Sequence, residues 1–223
     1  ELMFGWNVTS ELLEAINNSY ILKQKIESRK QSSWVLNFDF DETKILLDEN
    51  NNPTDIVKYI RYESNKIIEE FMILANESVW ELFSKYPFIY RIHDIPDDED
   101  IEKLRTILNI FGITMPFWKT TPKFVSNILK EIEKSPKSLL LSKLVLRSLK
   151  KAIYSEENRG HFGLGLEFYS HFTSPIRRYS DLQIHRIIKE KISKNLTKSR
   201  ISHYEEILPT VAKKVSDTEI KSQ

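Results

Sequence analysis

Apolar positions recur at helical spacing along most of the chain, and strand-like patterns are confined to its first hundred residues. Thr9 or Ser10 is placed to cap a helix carrying Leu12, Leu13, Ile16 and Tyr20 on one face. Val35 to Phe40 then alternates apolar and polar side chains, which predicts a strand. Lys44 to Leu47 and Ile56 to Ile60 flank Asp48-Glu-Asn-Asn-Asn-Pro53, a hairpin pattern with a longish turn. Ser64 is placed to cap a helix in which Ile67, Ile68, Phe71, Met72, Leu74, Ala75, Val79 and Leu82 recur at helical spacing. Pro87 ends it, and Phe88 to Ile92 reads as a buried strand.

Further along, Asp97, Asp98 and Asp100 open a helix running through Leu108, and Phe111 to Thr121 is a loop around Gly112, Pro116 and Trp118. Two helices follow, with Leu139 to Tyr154 the better defined. Ser155 to Gly165 holds Gly160, Gly163 and Gly165, three of the chain's five glycines. Such density predicts a loop whose backbone takes positive φ or approaches a neighbour closely. A long helix is expected from Ser174-Pro175 and a last one from about Tyr204, with Lys213 to Gln223 resembling a helix cut off midway. The predicted class is α+β, helix-rich, with a small mixed or antiparallel sheet.

At 223 residues with 40% hydrophobic and 29% charged side chains, the chain is long enough to bury a core and too apolar to be disordered. The formal net charge is only +1, so an anionic partner needs a local basic surface. The absence of cysteine excludes disulfides, thiolate zinc sites and a cysteine nucleophile, and suits a cytoplasmic location. No apolar run approaches the roughly 20 residues of a membrane span. Glu1-Leu2-Met3-Phe4 shows neither an initiator at position 1 nor a signal peptide, so a piece of a longer protein is expected.

The sharpest chemical clue is His171 to Arg186, HFTSPIRRYSDLQIHR. Serine caps and proline suits the first helical position, which puts Ile176, Arg177 and Arg178 in the first turn. Two arginines there oppose the helix dipole unless an anion sits between them and the free amides. Spacing leaves a second reading open: Asp181 can pair with Arg177 and Arg178, and His185 lies on the same face. His171, Asp181 and His185 are weak metal-ligand candidates, and a buried, hydrogen-bonded His185 is the simpler outcome. The acidic start at Asp97 to Asp100 reads as a solvated helix end before it reads as a metal site.

A second constellation is Glu69-Glu70 within KIIEEFMILAN. The apolar neighbours set at least one glutamate at the helix's buried edge, where it needs an arginine, a sugar hydroxyl or a metal ion. The simpler arrangement is one exposed glutamate and one salt bridge. Phe38, Tyr154, Phe168, Tyr169 and Tyr179 can stack on bases, although such aromatics usually serve a core.

HFTSPIRRYSDLQIHR, preceded by AIYSEENRGHFGLGLEFYS, resembles the signature of the RNase II/RNase R (RNB) family of processive 3′→5′ exoribonucleases. IIEEFMILAN with YRIHDIP, and LRSLKKAIYS, resemble further motifs of that family at its spacing. The resemblance runs from about Tyr20 to the end, is nearest the RNase R type, and implies the C-terminal portion of a single catalytic domain. Residues 1–20 are a poorly matched lead-in.

The resemblance implies that Arg177 contacts the scissile phosphate and stabilises the transition state. It implies that Glu70 reads the ribose 2′-hydroxyl, that Phe38 stacks on terminal bases, and that Glu219 lines the RNA channel. Arg178, Tyr179, Asp181, His185 and Arg186 match signature residues with a mainly structural role, Arg178 being kept with Tyr154 among the RNA contacts.

It also implies two magnesium ions, a monomer, the 3′ end of single-stranded RNA as substrate, and OB-type RNA-binding domains as candidates for the flanks. The family's metal-binding aspartate cluster and a further stacking tyrosine have no match in this chain, and Asp39 and Asp41 do not fit that motif. These residues alone are therefore expected to be inactive. Gln31-Ser32-Ser33-Trp34 stands where the family has arginine and glycines, and a tryptophan there would narrow the RNA path. The rival readings are an RNA-binding module or a nuclease-dead homologue, and a purely structural helical domain.

Overall fold

The computed structural model describes residues 9–33, 36, 43–115 and 121–222. The chain divides into two compact units, one of residues 1–32 and 41–74 and the other of residues 33–40 and 75–223.

The first unit contains α1 (Ser10–Ser33) up to residue 32, a hairpin of β1 (Thr43–Leu47) and β2 (Pro53–Lys58), and the first half of α2 (Glu63–Phe83). Thr9 provides the α1 cap, its hydroxyl accepting from Leu12 N–H. The hairpin is the antiparallel pair that its apolar runs predict, with Ile45 opposite Ile56. Asp48 builds the turn by accepting from the backbone N–H groups of Asn50 and Asn52, and Asn51 takes φ +64°. α2 starts one residue before the expected cap: Ser64 lies inside its first turn, and Asn65 Oδ1 accepts from Tyr62 N–H. Of the strand predicted at Val35 to Phe40, only Leu36 is among the described residues. It is buried, not extended in a sheet, and its N–H donates to Gly163 O.

The second unit holds two apolar clusters. One joins α3 (Asp98–Ile110), α4 (Pro122–Glu133) and α5 (Ser138–Ser148) through Leu108, Ile132, Leu141 and Val145, all essentially inaccessible. Thr121 caps α4 with proline at the first helical position. α5 is shorter than the apolar periodicity predicts. It stops at Ser148, and Ile153–Ser155 forms strand β4 instead of continuing the helix to Tyr154. Pairing explains the switch: β4 runs antiparallel to β3 (Tyr90–Ile92), with Arg91 opposite Tyr154. A helix could not satisfy β3 in this way, so tertiary pairing overrides local propensity.

The other cluster packs Phe88, Ile89 and Ile92 with α6 (Tyr179–Ile192) and α7 (Lys198–Ser222). Glu190 fastens these two helices. It accepts from Arg200 at 2.8 Å and from the Tyr204 hydroxyl at 2.7 Å. α7 begins earlier than expected from the sequence, at Lys198, and its small residues Ala212 and Ser216 let it approach closely. Ser216 Oγ accepts from Tyr154 N–H at 2.9 Å, which seats α7 on β4.

The glycine-rich loop behaves as its composition predicts. Gly160 and Gly165 have φ of +76° and +60°. Gly163 is needed for space, since a Cβ there would lie 2.8 Å from His93 Nδ1.

Candidate functional site

The signature segment does not start its helix at Ser174-Pro175. Residues 175–177 form a turn in which Arg177 and Arg178 N–H groups donate to Ser174 O, and α6 opens at Tyr179 with Arg178 as its extended N-cap. Arg177 and Arg178 are thus outside the first turn, which corrects their expected position. Asp181 explains the shift. It is the third residue of α6, where a carboxylate suits the dipole, and it reaches back to accept from Ser174 N–H at 2.8 Å. The same carboxylate takes Arg178 Nε and Nη2 at 3.0 and 2.7 Å, and it is wholly inaccessible. The two readings of the arginine pair therefore separate. Arg178 is ion-paired within the protein, whereas Arg177 is exposed with no side-chain partner among the described residues.

Four stretches distant in sequence meet behind this turn. From IIEEFMILAN comes Asn76, which is buried: its Oδ1 accepts from Phe172 and Thr173 N–H, and its Nδ2 donates to the Tyr169 hydroxyl at 3.0 Å. From YRIHDIP comes Arg91, which makes a two-pronged contact with Glu219 of α7 at 2.6 and 3.0 Å. Its guanidinium also stands 4.6 Å from the centre of the Tyr154 ring. From LRSLKKAIYS comes Tyr154, only 5% exposed, whose hydroxyl shares a 2.9 Å hydrogen bond with His171 Nδ1. His185 of the signature donates through Nε2 to Phe172 O and stacks on the Phe172 ring, a supporting role for that segment.

Burial favours the neutral form of three histidines, His171, His161 and His93. His171 is pushed down to about 2, first by burial and then by the Arg178 and Arg91 charges. His161 falls to about 3 through burial, then through His93 and Arg91. His93 is lowered as well, again chiefly by burial, while its Nδ1 accepts from Gly163 N–H.

An open pocket of about 860 Å³ lies against this network, between the signature turn and α7. It brings together four candidates, Tyr154, Arg177, Arg178 and Glu219, and adds Tyr179 and Lys214. Asn76 and Arg91, which the sequence reading did not single out, hold the surroundings in place. Their only signal in the chain was a lone polar side chain on an apolar helix face and a charge inside a buried strand.

Two further candidates are not among the residues that line this pocket. Glu70, in the first unit, is 15% exposed and pairs with Lys30 at 2.5 Å, while Glu69 pairs with Arg61. Its donor is a lysine, where an arginine, a sugar hydroxyl or a metal was expected, and both glutamates are ion-paired rather than one. Phe38, like Asp39, Asp41 and Trp34, lies outside the described residues. Among the described residues no group of three or more His, Cys, Asp or Glu side chains is gathered as a metal ion would require. Nor is any described helix long and apolar enough to cross a membrane.

In architecture the chain is a helix-rich α+β protein, as its sequence pattern indicated. It belongs to the RNB domain family, whose model matches residues 6–194. It is 41% identical over 198 residues to ribonuclease R of Thermotoga maritima, covering 86% of this chain and 28% of that protein. Ribonuclease R of Escherichia coli K12 is 38% identical over 201 residues, covering 86% of this chain and 24% of that one. The fold matches Mycoplasma genitalium RNase R, solved in complex with ribose-methylated single-stranded RNA, with a TM-score of 0.91 and 29% identity. That match covers 98% of this chain and 35% of that one. The chain thus spans about a third or less of the length of these relatives, and the family is the one its signature resembles.

Proposed function

We propose that the polypeptide carrying this chain is a hydrolytic, processive 3′→5′ exoribonuclease of the cytoplasm. It takes single-stranded RNA by its 3′ end and releases nucleoside 5′-monophosphates. One observation carries this reading: Arg177, exposed and without a side-chain partner among the described residues, projects from a turn anchored by the buried Arg178–Asp181 pair into a pocket whose one described acid, Glu219, is matched by Arg91. A guanidinium held this way is free to meet a phosphate, and its fork suits phosphate oxygens. The ribonuclease R relatives, one of them bound to RNA, support the same substrate class.

In this reading Arg177 stabilises the charge that develops at the scissile phosphate. Glu70 reads the ribose 2′-hydroxyl, Phe38 stacks on terminal bases, and Tyr154, Arg178 and Glu219 form the wall of the RNA path. The two magnesium ions implied by the family resemblance do not fit any donor set among the described residues, so no step is derived through them. Their ligands are assigned to the rest of the polypeptide, together with any OB-type domains. The 223 residues alone are accordingly assigned little or no nuclease activity, and the working protein is taken as a monomer.

The decisive experiment compares Arg177→Ala with the unaltered full-length protein in single-turnover degradation of a labelled oligoribonucleotide. Turnover should fall about 100- to 1,000-fold with a much smaller change in RNA affinity. Lost affinity at unchanged turnover would reduce Arg177 to an anchor. Full-length protein that binds RNA without releasing monophosphates would be an RNA-binding or nuclease-dead homologue.

A further inference from the structure

The charges lining the pocket do not cancel. Its ionised residues are Arg177, Arg178, Lys214 and Glu219. Arg178 is matched by Asp181 and Glu219 by Arg91, each through two guanidinium nitrogens. Arg177 and Lys214 remain, both exposed and both without an ion-pair partner among the described residues. A chain with a net charge of only +1 thus concentrates two unmatched cations on one pocket. They come from different elements, one from the signature turn and one from α7.

An exposed lysine on a helix is ordinary, and α7 offers a built-in comparison. Lys213 is also exposed, but it does not line the pocket. Lys214 does, with Thr210 and Thr218 one turn away on either side and with Val211 and Val215 beside it on the same wall. Apolar wall suits the aliphatic stem of a lysine, leaving its ammonium to face the open space. The volume of about 860 Å³ is within the usual range of pockets that hold a small molecule, about 300–1,000 Å³. A single phosphate would leave most of it unfilled.

We propose that Lys214 is a second phosphate anchor. From the α7 wall it holds a backbone phosphate neighbouring the one that Arg177 meets, so the pocket grips two successive phosphates of one strand. The assignment rests on the RNA reading above and extends it to a residue outside the signature. The roles divide by chemistry. Lysine is a hydrated point charge that adds affinity to ground state and transition state alike, whereas Arg177 acts where charge develops.

The test uses the full-length protein and a fluorescent single-stranded oligoribonucleotide, with chelator present during binding so that the strand stays intact. Affinity is measured across a salt series for Lys214→Ala, Lys214→Arg, Lys213→Ala and Arg177→Ala, with turnover measured separately and thermal midpoints checked. Lys214→Ala should weaken binding about five- to tenfold at low salt and reduce the slope of log affinity against log salt by about 0.7, the loss of one single-strand phosphate contact. Turnover at saturation should stay within about twofold, Lys214→Arg should restore affinity, and Lys213→Ala should change little. If Lys214→Ala only matches Lys213→Ala, or if it lowers saturated turnover instead of affinity, the anchor is overturned while an Arg177 defect keeps the RNA reading intact. If Arg177→Ala is also without effect, or the unaltered protein does not bind the strand, the RNA reading itself fails and the anchor falls with it.

Discussion

The network behind the signature turn and the exposed side of the pocket are built from the same residue types and end in opposite states. Behind the turn, Arg178 meets Asp181, Arg91 meets Glu219 and lies on Tyr154, and Tyr154 meets His171. Every one of these polar groups has a partner, and Asp181 is wholly inaccessible. On the exposed side Tyr179 is 48% exposed, and Arg177 and Lys214 have no ion-pair partners among the described residues. The difference separates support from recognition. Charges already matched inside the protein hold its shape, while unmatched ones keep their full interaction energy for a ligand.

The comparison is broken most forcefully at Asp181. Asp181→Ala strands the Arg178 guanidinium and Ser174 N–H, and should cost about 3–5 kcal/mol in urea unfolding. Arg177→Ala next to it should change stability by less than about 0.5 kcal/mol. Similar losses for the two would mean that the turn is not divided as described.

Asn76→Ala sharpens the boundary from the other side. It removes the acceptor of Phe172 and Thr173 N–H without touching a charge, so a loss of about 2–3 kcal/mol is expected from the same unfolding curves. A loss near zero would show that water replaces the amide and that the signature is held by Asp181 alone.

A pH dependence tests the buried side without any substitution. His171 and His161 stay neutral in the folded protein down to about 2 and 3, whereas in the unfolded chain they take up protons near pH 6.5. Between those values the unfolded state binds more protons, so stability is fully present above about pH 6.5 and declines as the pH falls toward 3. Each histidine contributes a slope of up to about 1.4 kcal/mol per pH unit. Urea midpoints from pH 7 to 4 should fall accordingly, and His171→Asn should flatten the curve. A flat profile in the unaltered protein would mean that the histidines are not buried as neutral groups.

Much of the fold was legible where the signal is local. The β1–β2 hairpin followed from two apolar runs around an Asp–Asn turn, and the glycine loop from glycines whose backbone preferences are their own. Tyr154 was misread because its segment has helical periodicity, and only β3, about sixty residues earlier, supplies the pairing that makes it a strand. The start of α6 was misread for a subtler reason. Ser174-Pro175 is a good local cap, but the Asp181 carboxylate accepts from Ser174 N–H and Arg178, which moves the helix four residues on.

The candidate site divides in the same way. HFTSPIRRYSDLQIHR by itself determined the family and the presence of an arginine pair that needed an anion, because both depend on residue identity and spacing along a few turns of chain. Which arginine would keep that need was decided only by tertiary structure. Arg178 finds Asp181, Arg91 is drawn to Glu219 from 128 residues away, and a lysine no motif marks comes to line the pocket beside Arg177. The physical reason is that a charge is free or matched according to what lies within a few ångströms in space, and spacing along the chain records only its nearest neighbours.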